Sequence, residues 1–179
     1  MDWRFLHKVL CDFGFLDKII SLILHGITSP SLCLLWNGKC SEQFLPKRGL
    51  WQGDPLSPYL FVLCMEKLGY MIREAMENGS WQPIQVGWVG PKLSHLFFAD
   101  DVLLFTKAKA SHVRAVTEVL HQFCADLGLK VSLVKSKVFA SKGVTPRRRN
   151  KISNITHIQF TRNLGKYLGY DMVHGRVSN

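Results

Sequence analysis

The sequence predicts an α+β fold in which an antiparallel sheet packs on helices. Three observations predict it. Apolar residues at helical spacing alternate with short extended segments bounded by turn residues. Apolar side chains make up 47% of the 179 residues, enough to build a core and to exclude wholesale disorder. The longest apolar stretches, 19–24 and 59–65, are too short to span a bilayer, so no membrane partner is expected.

Each element has its own reason. Trp3, Leu6, Val9, Leu10 and Phe13 recur at helical period and predict a first helix, interrupted by Gly14. Leu16, Ile19, Ile20, Ile23 and Leu24 predict a second, which runs on until Gly26 and Pro30. Residues 32–36 and 41–45 flank Asn37-Gly38, a pair that tolerates the positive φ of a tight turn, so a β-hairpin is expected. Residues 51–58 form a Gly/Pro-punctuated loop. There Ser57 can cap a helix, and Pro58 sits where its missing N–H costs nothing.

That helix carries one apolar face, Leu60, Leu63, Cys64, Leu68, Met71, Ile72 and Ala75, and ends near Asn78-Gly79. Extended segments follow at 84–89, 93–98 and 102–106. Ser111 is expected to cap a further helix, whose Val113, Val116, Leu120, Phe123 and Leu127 share a face before Gly128 stops it. The tail is less regular, with a strand expected at 138–140, a short basic helix at 146–154 and a strand at 167–173.

The formal charge of +10 lies wholly in residues 91–179, because residues 1–90 balance. Such asymmetry points to a polyanion, nucleic acid first, or to a basic face that is merely solvated. Cys11, Cys33, Cys40, Cys64 and Cys124 form no C-x-x-C pair. Their odd number argues against a disulfide framework or zinc site and for reduced thiols inside a cell, nuclear or cytoplasmic. The opening Met1-Asp2-Trp3-Arg4 lacks a secretory pattern. Oligomeric state leaves no trace in the sequence.

The sharpest local feature is Asp100-Asp101 between two short apolar strands. In a continuous strand one of the two would face the core at a cost of several kcal/mol, whereas a tight turn exposes both. An ordinary polar turn would account for them, and so would a tip that holds a metal ion. Two metal ions about 4 Å apart can clamp the attacking and leaving oxygens of phosphoryl transfer. The second feature is the run from Arg48 through Gln52-Gly53 to Ser57-Pro58. Capping explains its end but not Gln52-Gly53 behind the basic pair Lys47-Arg48. A glycine permits close backbone approach to a ligand, and a helix start near cations favours phosphate.

In this order, Gln52-Gly53-Asp54-Pro55-Leu56-Ser57-Pro58-Tyr59-Leu60-Phe61 and Phe98-Ala99-Asp100-Asp101 resemble the reverse transcriptases of non-LTR (LINE-type) retrotransposons, in their plant form. The resemblance continues through Gly128-Leu129-Lys130-Val131-Ser132, Lys135-Ser136-Lys137 and Tyr167-Leu168-Gly169, and so covers nearly the whole chain. It implies a polymerase palm-like fold and a single partial reverse transcriptase domain over 1–179. The palm core would cover about 31–140, and a basic palm end with the primer-grip region about 141–179.

The resemblance also implies an RNA-directed DNA polymerase that takes an RNA template, a DNA primer and deoxynucleotides, with Mg²⁺ or Mn²⁺ as cofactor. Asp100 and Asp101 would be catalytic metal ligands, Asp100 the stronger. Arg48, Gln52, Gly53, Ser57 and Pro58 would belong to the block contacting template and nucleotide. Lys135 or Lys137 would assist departing pyrophosphate, and Tyr167, Leu168 and Gly169 would grip the primer. Separately, the charge run Arg147-Arg148-Arg149 with Lys151 can meet nucleic-acid backbone or simply be solvated.

One part of the family pattern has no match. Its other palm strand carries a third aspartate and an aromatic gate against ribonucleotides, both before the position matching Asp2. Asp2, Asp12, Asp17 and Asp54 do not replace that acid. The expectation is therefore an N-terminally truncated palm fragment, inactive alone. The alternative is a non-catalytic basic RNA-binding fragment. A metal-dependent nuclease would also use paired acids, but the polymerase order of the motifs disfavours it. The seven histidines show no metal-ligand clustering. Trp36, Trp51, Trp81 and Trp88 fit core or hairpin packing better than base stacking.

Overall fold

The computed structural model describes residues 1–172, which form five helices and four two-stranded antiparallel ladders, a mixed α+β arrangement. In chain order these are α1 (Trp3–Asp12), α2 (Asp17–Thr28), β1 (Leu35–Trp36), β2 (Lys39–Cys40), α3 (Ser57–Glu77), β3 (Ile84–Gln85), β4 (Lys92–Leu93), β5 (His95–Phe98), β6 (Asp101–Leu104), α4 (Ala110–Leu127), α5 (Pro146–Thr156), β7 (Lys166–Tyr167) and β8 (Tyr170–Asp171). Residues 1–70 and 123–129 make one compact unit. Residues 71–122 and the segment from Lys130 onward make the other.

In the first unit the apolar stripe of α1 is realised as buried Phe5, Leu6, Val9 and Leu10. Leu60, Cys64, Met65 and Leu68 of α3 and Phe123 and Leu127 of α4 are also buried there. Each such aliphatic side chain contributes about 1.5–3 kcal/mol. Phe5 meets Phe123 edge to face at 5.9 Å. Asp2 starts α1 as its N-cap, accepting the N–H of Arg4 at 2.8 Å, and its own N–H reaches Leu127 O at 2.9 Å. At the far end of α1, Asp12 pairs with Lys67 of α3 at 2.7 Å.

The Asn37-Gly38 turn forms as expected, with φ of 48° and 76°, and closes Leu35↔Cys40 and Trp36↔Lys39. The ladder is shorter than residues 32–45 suggested. Ser41 N–H still bonds Leu34 O, but the next pairing is the Leu32↔Phe44 bridge, so Glu42 and Gln43 both stand opposite Cys33. This one-residue bulge breaks the ladder.

The second unit is organised by Trp81, which is fully buried and donates its indole N–H to Phe105 O at 3.0 Å. Gln82 O accepts from Thr106 Oγ1 at 3.0 Å and Lys107 N at 3.1 Å, and Ser80 O accepts from His112 Nδ1 at 2.8 Å. These bonds tie the segment leaving β6 to the segment leaving α3.

Several expectations change. α4 begins at Ala110, so Ser111 lies inside its first turn rather than capping it. α5 runs on to Thr156 and stops where His157 turns left-handed at φ 58°. The strand expected at 138–140 reduces to one parallel bridge, Val138↔Phe160, because no neighbouring strand extends the pairing. The strand expected at 167–173 is instead the β7–β8 hairpin, turning on Leu168 and Gly169. Position 173 lies outside the described residues.

Candidate active site

β5 and β6 pair in register from His95↔Leu104 through Phe98↔Asp101. Only Ala99 and Asp100 remain to make the turn, and Ala99 adopts φ 50°. A two-residue hairpin loop demands positive φ, so the tight turn inferred from the paired acids forms at an energetic cost to alanine. Asp100 occupies the turn and Asp101 opens β6. Both are exposed, while Val102, Leu103 and Leu104 behind them are half-buried.

Among the described residues neither carboxylate takes part in an ion pair. Two uncompensated negative charges at one tip repel, and a divalent cation would offset that repulsion. Hard carboxylate oxygens are the donors that Mg²⁺ and Mn²⁺ accept. Among the described residues no group of three or more His, Cys, Asp or Glu could hold a metal ion. The tip thus presents two carboxylates, and two such oxygen donors suit an ion that completes its shell with phosphate oxygens and water.

The glycine-rich loop belongs to the first unit. The indole N–H of Trp3 donates to Gly49 O at 2.7 Å, and Gly49 N–H donates to Met1 O at 2.8 Å, which ties the loop's start to α1. Gly53 sits at φ 91° with open space where a Cβ would project. Only glycine takes that conformation without strain, and the open face admits a ligand against the backbone. Arg48 and Gln52 are exposed, and Pro58 lies in the first turn of α3, as expected.

Ser57 behaves differently from expectation. Its hydroxyl does not accept from the helix but donates to Asp54 Oδ2 at 2.7 Å. That bond, helped by the Leu56 and Ser57 backbone N–H groups, lowers the Asp54 pKa. A carboxylate is a strong acceptor and holds the Ser57 hydroxyl, while the Ser57 N–H donates to the Asp54 main-chain O at 3.3 Å. Trp51, expected to pack in a core or hairpin, is half-buried, and among the described residues its buried indole N–H has no partner. An orphaned donor leaves no mark in the sequence.

The basic residues differ in how free they are. Lys135 and Lys137 are both exposed, and Lys137 Nζ also donates to Leu164 O at 3.3 Å. Tyr167 lies in β7, with Leu168-Gly169 at its turn. Arg147 and Arg148 are exposed on α5. Arg149 is half-buried, donating from Nε to Val144 O at 3.1 Å and from Nη2 to Ser141 O at 3.3 Å, with its guanidinium 5.8 Å from the Phe160 ring centroid. Arg148 and Lys151 share a cleft of about 320 Å³ with Lys109 and Ser111 at the start of α4. Nothing in the sequence joins Lys109 to α5.

Residues 1–172 match the family model described as reverse transcriptase (RNA-dependent DNA polymerase). The chain belongs to the reverse transcriptase family. Three relatives place it further. An uncharacterized mitochondrial protein of Arabidopsis thaliana is 46% identical over 77 residues, 43% of this chain and 63% of that protein. The retrovirus-related Pol polyprotein from type-2 retrotransposable element R2DM of Drosophila melanogaster is 33% identical over 132 residues, 73% of this chain and 11% of the polyprotein. The corresponding polyprotein from type-1 retrotransposable element R2 of Popillia japonica is 30% identical over 97 residues, 54% of this chain and 15% of that protein. The matching regions thus span less than two thirds of any of these proteins. The polyprotein relatives belong to non-LTR retrotransposons, the class the sequence resembles. Among the described residues no helix of this reverse transcriptase domain is long and apolar enough to cross a membrane.

Proposed function

We propose that this domain supplies the metal-holding hairpin and the template-side loop of an RNA-directed DNA polymerase, and that Asp100 and Asp101 are its metal ligands. The observation that carries the reading is the β5–β6 tip, with two exposed carboxylates that join no ion pair among the described residues. Polymerases of this family generally use divalent metals. A bound Mg²⁺ or Mn²⁺ would supply Lewis-acid activation of a primer 3′-hydroxyl and neutralise phosphate charge.

The chain's own residues then divide the remaining work. Gln52 and the open backbone at Gly53 position template and nucleotide, with Arg48 near at hand in sequence and Ser57-Pro58 starting the helix behind them. Lys135 or Lys137, both exposed, meets departing pyrophosphate. Tyr167, Leu168 and Gly169 grip the primer on a hairpin turn, and Arg147 and Arg148 meet backbone phosphates. All of 1–179 is read as one partial domain, with palm core at about 31–140 and the basic end beyond it. Among the described residues no third acid joins Asp100 and Asp101, so the tip by itself forms part of a two-metal clamp and not the whole of it.

Two measurements test this. Mn²⁺ titration followed by electron paramagnetic resonance should show binding that Asp100→Asn weakens by about tenfold or more, the loss of a charge-bearing ligand. Binding indifferent to Asp100→Asn and Asp101→Asn would remove the metal role. Primer extension on an RNA template with deoxynucleotides and Mg²⁺ or Mn²⁺ should stay at background. Robust extension that disappears in Asp100→Ala would show that another acid completes the clamp.

A further inference from the structure

Cys33 and Cys40 flank the Asn37-Gly38 turn on diagonal positions of one ribbon. Cys40 pairs with Leu35, and Cys33 lies two residues before Leu35 in the stretch between β1 and the Leu32↔Phe44 bridge, so extended-chain alternation puts both on one face of the ribbon. They occupy the diagonal that joins a residue farther from the turn on the first strand to one nearer the turn on the second. The right-handed twist of a two-stranded ribbon draws that diagonal together. Both are free and exposed. Hydrogen bonding from the Cys33 side chain raises the Cys40 pKa, as neighbouring thiols do.

The other cysteines differ. Cys64 is buried, its pKa pushed up to about 12 by desolvation, and Cys124 is half-buried. Cys11 is exposed on α1 with His7 Nδ1 3.7 Å from its sulfur. The bulge of Glu42 and Gln43 opposite Cys33 gives the ribbon room to adjust its strand separation, which disulfide geometry requires.

We propose that Cys33 and Cys40 form a dithiol modification site that closes to a disulfide within the hairpin by exchange with a low-molecular-weight disulfide such as oxidised glutathione. The thiolate of one cysteine attacks a sulfur of the glutathione disulfide, forming a mixed disulfide and releasing one glutathione thiolate. The second cysteine, deprotonated, attacks the protein sulfur of that mixed disulfide, forming the Cys33–Cys40 bond and releasing the second glutathione. Two protein thiols are oxidised, one glutathione disulfide is reduced to two thiols, and the two protons pass to the departing thiolates. The second step is intramolecular, so its effective concentration exceeds that of any free thiol. Closure staples the Asn37-Gly38 turn.

The full 179-residue chain, equilibrated across a series of reduced and oxidised glutathione and quenched in acid, tests this by alkylation and peptide mass mapping. The expected product is a hairpin peptide lacking two hydrogens, with Cys33 and Cys40 lost to alkylation together and before Cys11. In Cys33→Ser, Cys40 should stop at the glutathione adduct, whose population rises by about tenfold or more once the intramolecular partner is gone. Cys40→Ser should trap Cys33 in the same way. Both sites are exposed, and far-UV circular dichroism checks that the variants keep their helices. Independent glutathione adducts on Cys33 and Cys40 in the unsubstituted chain, in the proportion found at Cys11, would overturn the proposal, whatever the variants do.

Discussion

At Ala99 the backbone enters the left-handed region, a conformation that costs an alanine about 1–2 kcal/mol and that glycine adopts freely. The cost is accepted at the turn that presents Asp100 and Asp101. Ala99→Gly should therefore raise stability to urea by about 0.5–1 kcal/mol, once the extra freedom of glycine in the unfolded chain is subtracted. It should also loosen the tip and weaken Mn²⁺ binding; an unchanged or lower urea midpoint would show that the turn is not strained. Asp2 offers a second residue-scale test. Its bonds from the Arg4 side chain and then the Arg4 N–H hold its pKa at about 2, below the ordinary 3.8. A depressed carboxylate pKa contributes stability above the ordinary value and loses it as pH falls through the depressed one. The pH-dependent part of the stability difference between the unsubstituted chain and Asp2→Asn should thus be constant above about pH 5, fall between the two pKa values and vanish by about pH 1. Thermal melts across that range measure it.

Among elements, α5 separates arginines that look equivalent in sequence. The helical period turns Arg149 inward, where its planar fork spans Val144 O and Ser141 O, while Arg147 and Arg148 stay outside. Arg149→Ala should cost about 1–3 kcal/mol because those carbonyls lose a charged donor, and Arg149→Lys should recover little of it, having no fork. Arg147→Ala and Arg148→Ala should leave the melting temperature unchanged. This sorting shows what the sequence could and could not convey. The β5–β6 hairpin was legible because two acids between apolar strands have one inexpensive solution. α4 was legible in its face though not in its cap, because Val113, Val116, Leu120, Phe123 and Leu127 follow the helical period. The strand at 138–140 was not, since a strand exists only through a partner, and Val138 finds a single bridge to Phe160. The Ser57 hydroxyl turned to Asp54 for the same reason: which acceptor is nearest depends on how residues 51–56 fold, not on local preference.

On the scale of the whole molecule, the excess charge beyond residue 91 now has a distribution. Arg149 is half-buried and serves its own loop, so it is the arginine of the run least free to neutralise a phosphate. Arg148, Lys151 and Lys109 converge on one cleft with Ser111, and Arg147 precedes Arg148 on α5. Three cations around one cleft repel each other unless an anion enters, and each phosphate they neutralise releases a counterion. If about four to six phosphates are engaged, single-stranded RNA should bind with a log–log salt slope of roughly −3 to −4. Affinity should vary little among unrelated sequences, because phosphate contacts carry no base information. Replacing Arg147, Arg148 and Arg149 together would confound binding with folding. The informative change is Arg147→Ala with Arg148→Ala, which should flatten the slope by about 1.4, whereas Arg149→Ala should act mainly on stability. Fluorescence anisotropy across a salt series, on variants whose melting temperatures are known, reads both effects. A slope unmoved by the double substitution would take α5 out of the nucleic-acid face. No measurable binding at low salt by a folded chain would leave the positive charge as a solvated surface.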